Sequence, residues 1–168
     1  MSDWSLQAAD LTIKEAALAM SIVRLREPSA SVLIGLSAAL GLDWPAVPNT
    51  SAIGGARTVH WLAPNEWAVF GMDSAELHRT VDAVCASSLY HVAEVGEGHR
   101  IWRLAGARVR AFLAKGCSLD LHPRAFGRER CAQTLFAQIR VLIAWSDAQE
   151  EELELVADAA LEYQAEAV

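Results

Sequence analysis

The sequence predicts an α+β fold made of two ferredoxin-like, split βαβ halves, with antiparallel sheets and the helices on their outer side. Three observations predict it. Apolar residues recur with strand and helix periods in the order β-α-β-β-α-β and then β-α-β-β-β-α. At 168 residues and 53% hydrophobic content, the chain can fill one sizeable core or two small ones. No low-complexity linker separates the two runs. We therefore expect a single domain, residues 1–168, with a first half at about 20–95 and a second at about 99–168.

Residues 1–19 mix polar residues with alanine and read as a frayed arm or a weak helix. Across 21–26, Val23 and Leu25 alternate with Arg24 and Arg26, a strand with one wet face that Pro28 stops. Ser29 or Ser31 caps a helix in which Val32, Leu33, Leu36 and Leu40 repeat at helical spacing until Gly41. Proline, asparagine and glycine make 43–55 a long loop, of the kind that carries function or covers an interface. Residues 57–62 and 67–70 form a hairpin about the turn 63–66. Asp73 with Glu76 reads as a capping box for a helix carrying Leu77, Val81, Val84 and Cys85, which places Cys85 in the core. Strands at 90–95 and 99–104 flank a turn at 96–98. An amphipathic helix follows, with Val109, Phe112 and Leu113 on one face, and Gly116 is expected to end it in a left-handed conformation. Pro123 then prevents its resumption. Residues 131–137, 139–145 and 153–157 alternate as strands, and Asp158 starts a short terminal helix.

A net charge of −7 and a pI near 5.2 leave no general basic field, which disfavours nucleic acid and anionic membranes as partners. Eight of the fourteen basic residues nevertheless fall between Arg100 and Arg130. They make either a solvated face or a dock for an acidic partner. Residues 1–10 are polar, so no signal peptide is expected, and no apolar run reaches the roughly 20 residues of a membrane helix. Cys85, Cys117 and Cys131 are odd in number and widely spaced, so a disulfide framework is not expected and a cytoplasmic location is. The six tryptophans imply dense packing or a covered surface. Trp61, alternating with Val59, belongs to the core.

The richest chemistry lies in 115–126. Cys117 follows a helix C-terminus, where the dipole opposes a thiolate, so a structural role is expected. Cys117, His122 and Cys131 lack the close pairs of a zinc site. Asp120 and His122 share a face in extended chain, so the carboxylate could orient the imidazole as a general base. No nucleophile motif accompanies them, and the favoured reading is a network that rigidifies the turn, with Arg124 as charge partner. Neither GxGxxG nor a P-loop motif occurs, so no nucleotide is expected on this chain.

Two blocks carry a resemblance: residues 61–67 (WLAPNEW), and 113–126 (LAKGCSLDLHPRAF) followed by 130–134 (RCAQT). In order and spacing both resemble the gamma subunit of heterotetrameric sarcosine oxidase. The resemblance implies a fold similar to the T-protein folate-binding domain and assembly with alpha, beta and delta subunits. It implies an accessory chain without catalytic residues in a complex that oxidatively demethylates sarcosine to glycine, forming H2O2 and 5,10-methylenetetrahydrofolate. FAD, FMN, NAD and tetrahydrofolate are then expected in the larger subunits and no cofactor on this chain. Residues 93–98 (AEVGEG) and the Ala- and Glu-rich end after Leu155 depart from the family pattern, and the first departure argues against a folate role here. On this reading Lys115, Asp120, His122, Arg124, Phe126, Arg130 and Gln133 are the subunit-docking residues. The alternative is a free-standing T-protein-like folate-binding or one-carbon-transfer protein using Asp120 and His122.

Overall fold

The computed structural model describes residues 5–8, 10–86, 88–146 and 152–158. In chain order the first elements are β1 (Ser5–Ala8), β2 (Leu11–Glu15), β3 (Met20–Leu25), α1 (Ala30–Leu40), β4 (Ser51–Gly54), β5 (Arg57–Ala63), β6 (Glu66–Phe70) and α2 (Ser74–Cys85). They are followed by β7 (Tyr90–Glu94), β8 (His99–Ala105), α3 (Val109–Leu113), β9 (Cys131–Phe136), β10 (Ile139–Trp145) and β11 (Glu152–Asp158). The chain forms two compact units, residues 18–96 and residues 1–17 with 97–168. The helix expected after Asp158 lies outside the described residues.

The unit of residues 18–96 matches the expected rhythm. Its antiparallel sheet runs β4-β5-β6-β3-β7, so β3 sits between β6 and β7, the arrangement that two helical crossovers produce. Both helices start as the sequence requires: Ser29 Oγ accepts from Val32 N–H at 3.4 Å, and Asp73 Oδ1 accepts from Glu76 N–H at 3.0 Å. Gly41 closes α1 in the left-handed region at φ 69°. Val23, Leu25, Val59 and Val69 of the sheet meet Leu36, Leu40, Leu77, Val81 and Cys85 of the helices in one core. Burial pushes the Cys85 thiol up, with Asp82 adding to the effect, in keeping with a packing role.

The expected loop 43–55 is partly a strand. β4 pairs with β5, and the stretch before it is pinned to the core, where Trp44 lies 5.4 Å from Trp67 and the Trp67 Nε1–H donates to Pro45 O at 2.7 Å. The Pro and Asn signals mark turns here, and the strand between them is too short to show its alternation. Trp61 is half-buried against this core.

The second unit differs from expectation in two ways. Of the stretch 1–19 expected to be a frayed arm or weak helix, residues 1–4 and 9 lie outside the described residues, and 5–8 and 10–15 are neither frayed nor helical. They form the β1–β2 hairpin at one edge of a sheet ordered β1-β2-β8-β11-β10-β9. The hairpin turns on Asp10 at φ 61°, and Leu11 and Ile13 supply the inward face, too few residues to announce a strand in sequence. The strand order is also not that of a split βαβ unit, because β11 lies between β8 and β10. Only residues 146–151 join β10 to β11, too few for a helical crossover, so β11 folds back beside β10.

His60 tests the interior of the first unit. It sits on the sheet face opposite Val59, almost wholly buried, with Nδ1 2.7 Å from Ser51 Oγ and its ring 5.3 Å from Phe70. Burial lowers its pKa from 6.5 to about 3, so folding requires the neutral imidazole. That contribution is complete above pH 6.5 and is lost as pH falls toward 3, at about 1.4 kcal/mol per pH unit. Urea unfolding between pH 7 and pH 4 will show His60→Leu losing less stability on acidification than the wild type. Equal losses would contradict the assignment.

Candidate functional site

The turn between α3 and β9 is built in three steps. β8 ends just before Gly106, whose φ of 111° and position leave no room for a Cβ, which would strike the Asp10 carbonyl. Arg108 N–H donates to the same carbonyl at 3.0 Å, tying the start of α3 to the β1–β2 turn. Val109 and Leu113 then point into the core, and Phe112 meets Phe136 of β9 at 5.7 Å.

α3 covers only five residues, shorter than its pattern implied. Gly116 does not take the left-handed conformation expected of it. Its role is close approach, since a Cβ there would lie 2.7 Å from the Phe136 ring. The turn then descends to two buried anchors, Leu121 and Phe126.

Arg110 organises the turn. Its Nη1 donates to the Leu121 carbonyl and, at 3.2 Å, to that of Phe126, while its guanidinium carbon lies 4.6 Å from the Trp145 ring centroid. Arg128 approaches the same ring at 5.3 Å. The Trp145 indole N–H is buried and finds no acceptor among the described residues, so the ring contributes through its face. Sequence reasoning missed Arg110, Arg128 and Trp145. The available signal was the turn itself, because a long turn anchored in the core leaves carbonyls that need donors, and a planar cation on the adjacent helix supplies them.

Asp120 and His122 do not form a carboxylate–imidazole pair. Asp120 Oδ1 accepts from the His122 backbone N–H at 2.9 Å, and His122 Nδ1 accepts from the Arg124 backbone N–H at 3.2 Å. The His122 carbonyl accepts from Ala125 and Phe126 N–H at 2.8 and 2.9 Å. Both side chains therefore serve the backbone of the turn, as the favoured reading held, and Arg124 enters through its main chain rather than as a charge partner. Cys117 is buried, 3.6 Å from Thr134 Oγ1, and its sulfur accepts from Leu119 N–H at 3.3 Å.

The residues expected to dock a partner divide. Lys115, Asp120, His122, Arg124, Arg130 and Gln133 are exposed, whereas Phe126 is only 3% exposed and is a core anchor, which removes it from any docking surface. Its apolar ring is what lets the polar turn close onto the sheet. Gln133 lies on β9, an edge of the sheet, with Leu135 beside it at 53% exposure. The basic cluster is dispersed: Arg100 pairs with Glu15 at 3.6 Å, and Arg103 with buried Glu154 at 3.1 Å and with Glu152 at 3.6 Å. Burial raises the Glu154 carboxyl, and Arg103 opposes that rise.

Arg110→Met should lower stability by about 2–4 kcal/mol, from two lost charge-assisted hydrogen bonds and the lost cation–ring contact with Trp145. Arg124→Ala should cost under about 0.5 kcal/mol. Thermal and urea melts of the two variants check this, and equal effects would contradict the turn's construction.

Comparison with known proteins agrees with the earlier resemblance. Three relatives named sarcosine oxidase subunit gamma are 27–28% identical, from Arthrobacter sp. and from Corynebacterium sp. strains U-96 and P-1. The matches cover 79–81% of this chain and 65–68% of theirs, so the chain spans about two thirds of their length. Among solved structures, the heterotetrameric sarcosine oxidase from Corynebacterium sp. U-96 in complex with pyrrole 2-carboxylate matches with a TM-score of 0.77 and 26% identity, over 91% of this chain and 78% of that one. Glycine cleavage system aminomethyltransferase T from Bartonella henselae shares the fold, with a TM-score of 0.59 and 13% identity over 90% of this chain and 43% of its own. No helix among the described residues is long and apolar enough to cross a membrane. The model of the sarcosine oxidase gamma subunit family matches residues 27–164, and the chain belongs to that family.

Proposed function

We propose that this chain is the gamma subunit of a heterotetrameric sarcosine oxidase and that it serves assembly, without chemistry of its own. The family match over residues 27–164 carries this reading. The site supports it: the ionisable side chains that resembled a general base are spent on backbone hydrogen bonds, leaving a rigid turn with outward-facing Lys115, Arg124 and Arg130. Rigid, pre-ordered surfaces lose little entropy on docking.

On this reading the partners are the alpha, beta and delta subunits in the cytoplasm, and the larger chains hold the FAD, FMN, NAD and tetrahydrofolate. The complex converts sarcosine to glycine with H2O2 and 5,10-methylenetetrahydrofolate. The outward face of the turn, continued by Gln133 on the β9 edge, is the docking surface, with Asp120 and His122 setting its shape.

Co-expression with alpha, beta and delta subunits of a sarcosine oxidase should yield a copurifying complex. A chain that elutes alone would refute the reading. Arg124→Glu with Arg130→Glu should weaken copurification roughly tenfold with an unchanged melting temperature, since rim charges act on association.

A further inference from the structure

A groove of about 180 Å³ opens between the β1–β2 hairpin and α3, lined by Ala8, Leu11, Ala111 and Phe112 and by the exposed cations Arg108 and Lys115. Its walls are fixed. The hairpin turn is tied to α3 by the Arg108 N–H to Asp10 carbonyl bond at 3.0 Å, and Phe112 is held against Phe136. Small-molecule sites usually measure about 300–1,000 Å³, so this groove is too small for one and fits one or two apolar side chains. That is the size of an anchor pocket in a protein interface.

Charge selects the occupant. Among the described residues, neither Arg108 nor Lys115 forms an ion pair, although the chain carries a net charge of −7. An apolar surface laid over the groove would desolvate two cations without supplying them a counter-charge, which opposes binding. An occupant that brings carboxylates to the rim avoids that cost and gains from the same charges.

We infer that the groove receives a short segment of a larger subunit, consisting of one aliphatic or aromatic anchor flanked by Asp or Glu. The inference rests on the assembly reading above and adds a second contact, on the hairpin side of α3, to the outward face of the turn.

The test uses the full chain co-expressed with the larger subunits, with Arg124 and Arg130 left intact. Ala111→Trp, which fills the groove, should weaken association at least about thirtyfold. Arg108→Glu should weaken it about tenfold and flatten its dependence on salt between 50 and 500 mM NaCl. Both sites are on the surface, and circular dichroism melts matching the wild type establish that the variants fold. Wild-type assembly that is indifferent to salt overturns the inference without any variant. A wild-type complex that both variants join with unchanged affinity overturns the groove alone, whereas a wild-type chain that fails to assemble overturns the assembly reading with it. A wild-type chain that dimerises by itself, and is made monomeric by Ala111→Trp, assigns the groove to a second copy and also overturns the inference.

Discussion

The Arg110 guanidinium lies over Trp145, 4.6 Å from the ring centre, and donates to the carbonyls of Leu121 and Phe126, and the turn from α3 to β9 depends on that arrangement. A turn of this length needs donors for its inward carbonyls, and leaving them unpaired in the core would cost roughly 1–3 kcal/mol apiece. Arg suits the task because its planar fork can donate in the ring plane while its face lies on an indole. A lysine would keep the charge and lose the geometry. With Leu121 and Phe126 drawn inward, the polar residues between them are forced to the outside, where Asp120 and His122 close the remaining backbone bonds.

The same economy explains the charge distribution. Basic residues crowded in sequence become separated in space, because strands and a helix point them in different directions. Arg100 and Arg103 meet Glu15, Glu152 and Glu154, so the acidic end of the chain neutralises part of the basic stretch. Arg110 and Arg128 are engaged with Trp145. What remains outward is a few cations around α3 and the turn, an arrangement that favours recognition of a specific acidic surface over a general attraction to polyanions.

Where the sequence was legible, local chemistry and tertiary packing demanded the same residue. Ser29, Gly41 and Asp73 cap helices in sequence and in space, and Val23, Leu25 and Val59 alternate because one face of their sheet meets two helices. Legibility failed where a long-range contact decided the outcome. The β1–β2 hairpin is specified by its pairing to β8, nearly ninety residues away, and by a close approach at Gly106, neither of which leaves a periodic trace. Gly116 looked like a helix stop because sequence distinguishes poorly between a glycine needed for positive φ and one needed for room, here for Phe136. Phe126 stood inside a polar run and looked exposed, yet it is the anchor that the polar run is wrapped around. The resemblance in residues 113–134 was legible for a related reason: a turn that must satisfy its own backbone admits few alternatives at Asp120, His122 and Phe126.

The central claim is that the turn is rigid before any partner arrives. Native-state hydrogen exchange on the isolated chain addresses it directly at the amides of His122, Arg124 and Phe126, which donate to Asp120 Oδ1, His122 Nδ1 and the His122 carbonyl. The account predicts that these amides exchange orders of magnitude more slowly than in an unstructured peptide and lose that protection together when Arg110 is replaced. Exchange at unstructured-peptide rates in the wild-type chain would contradict it.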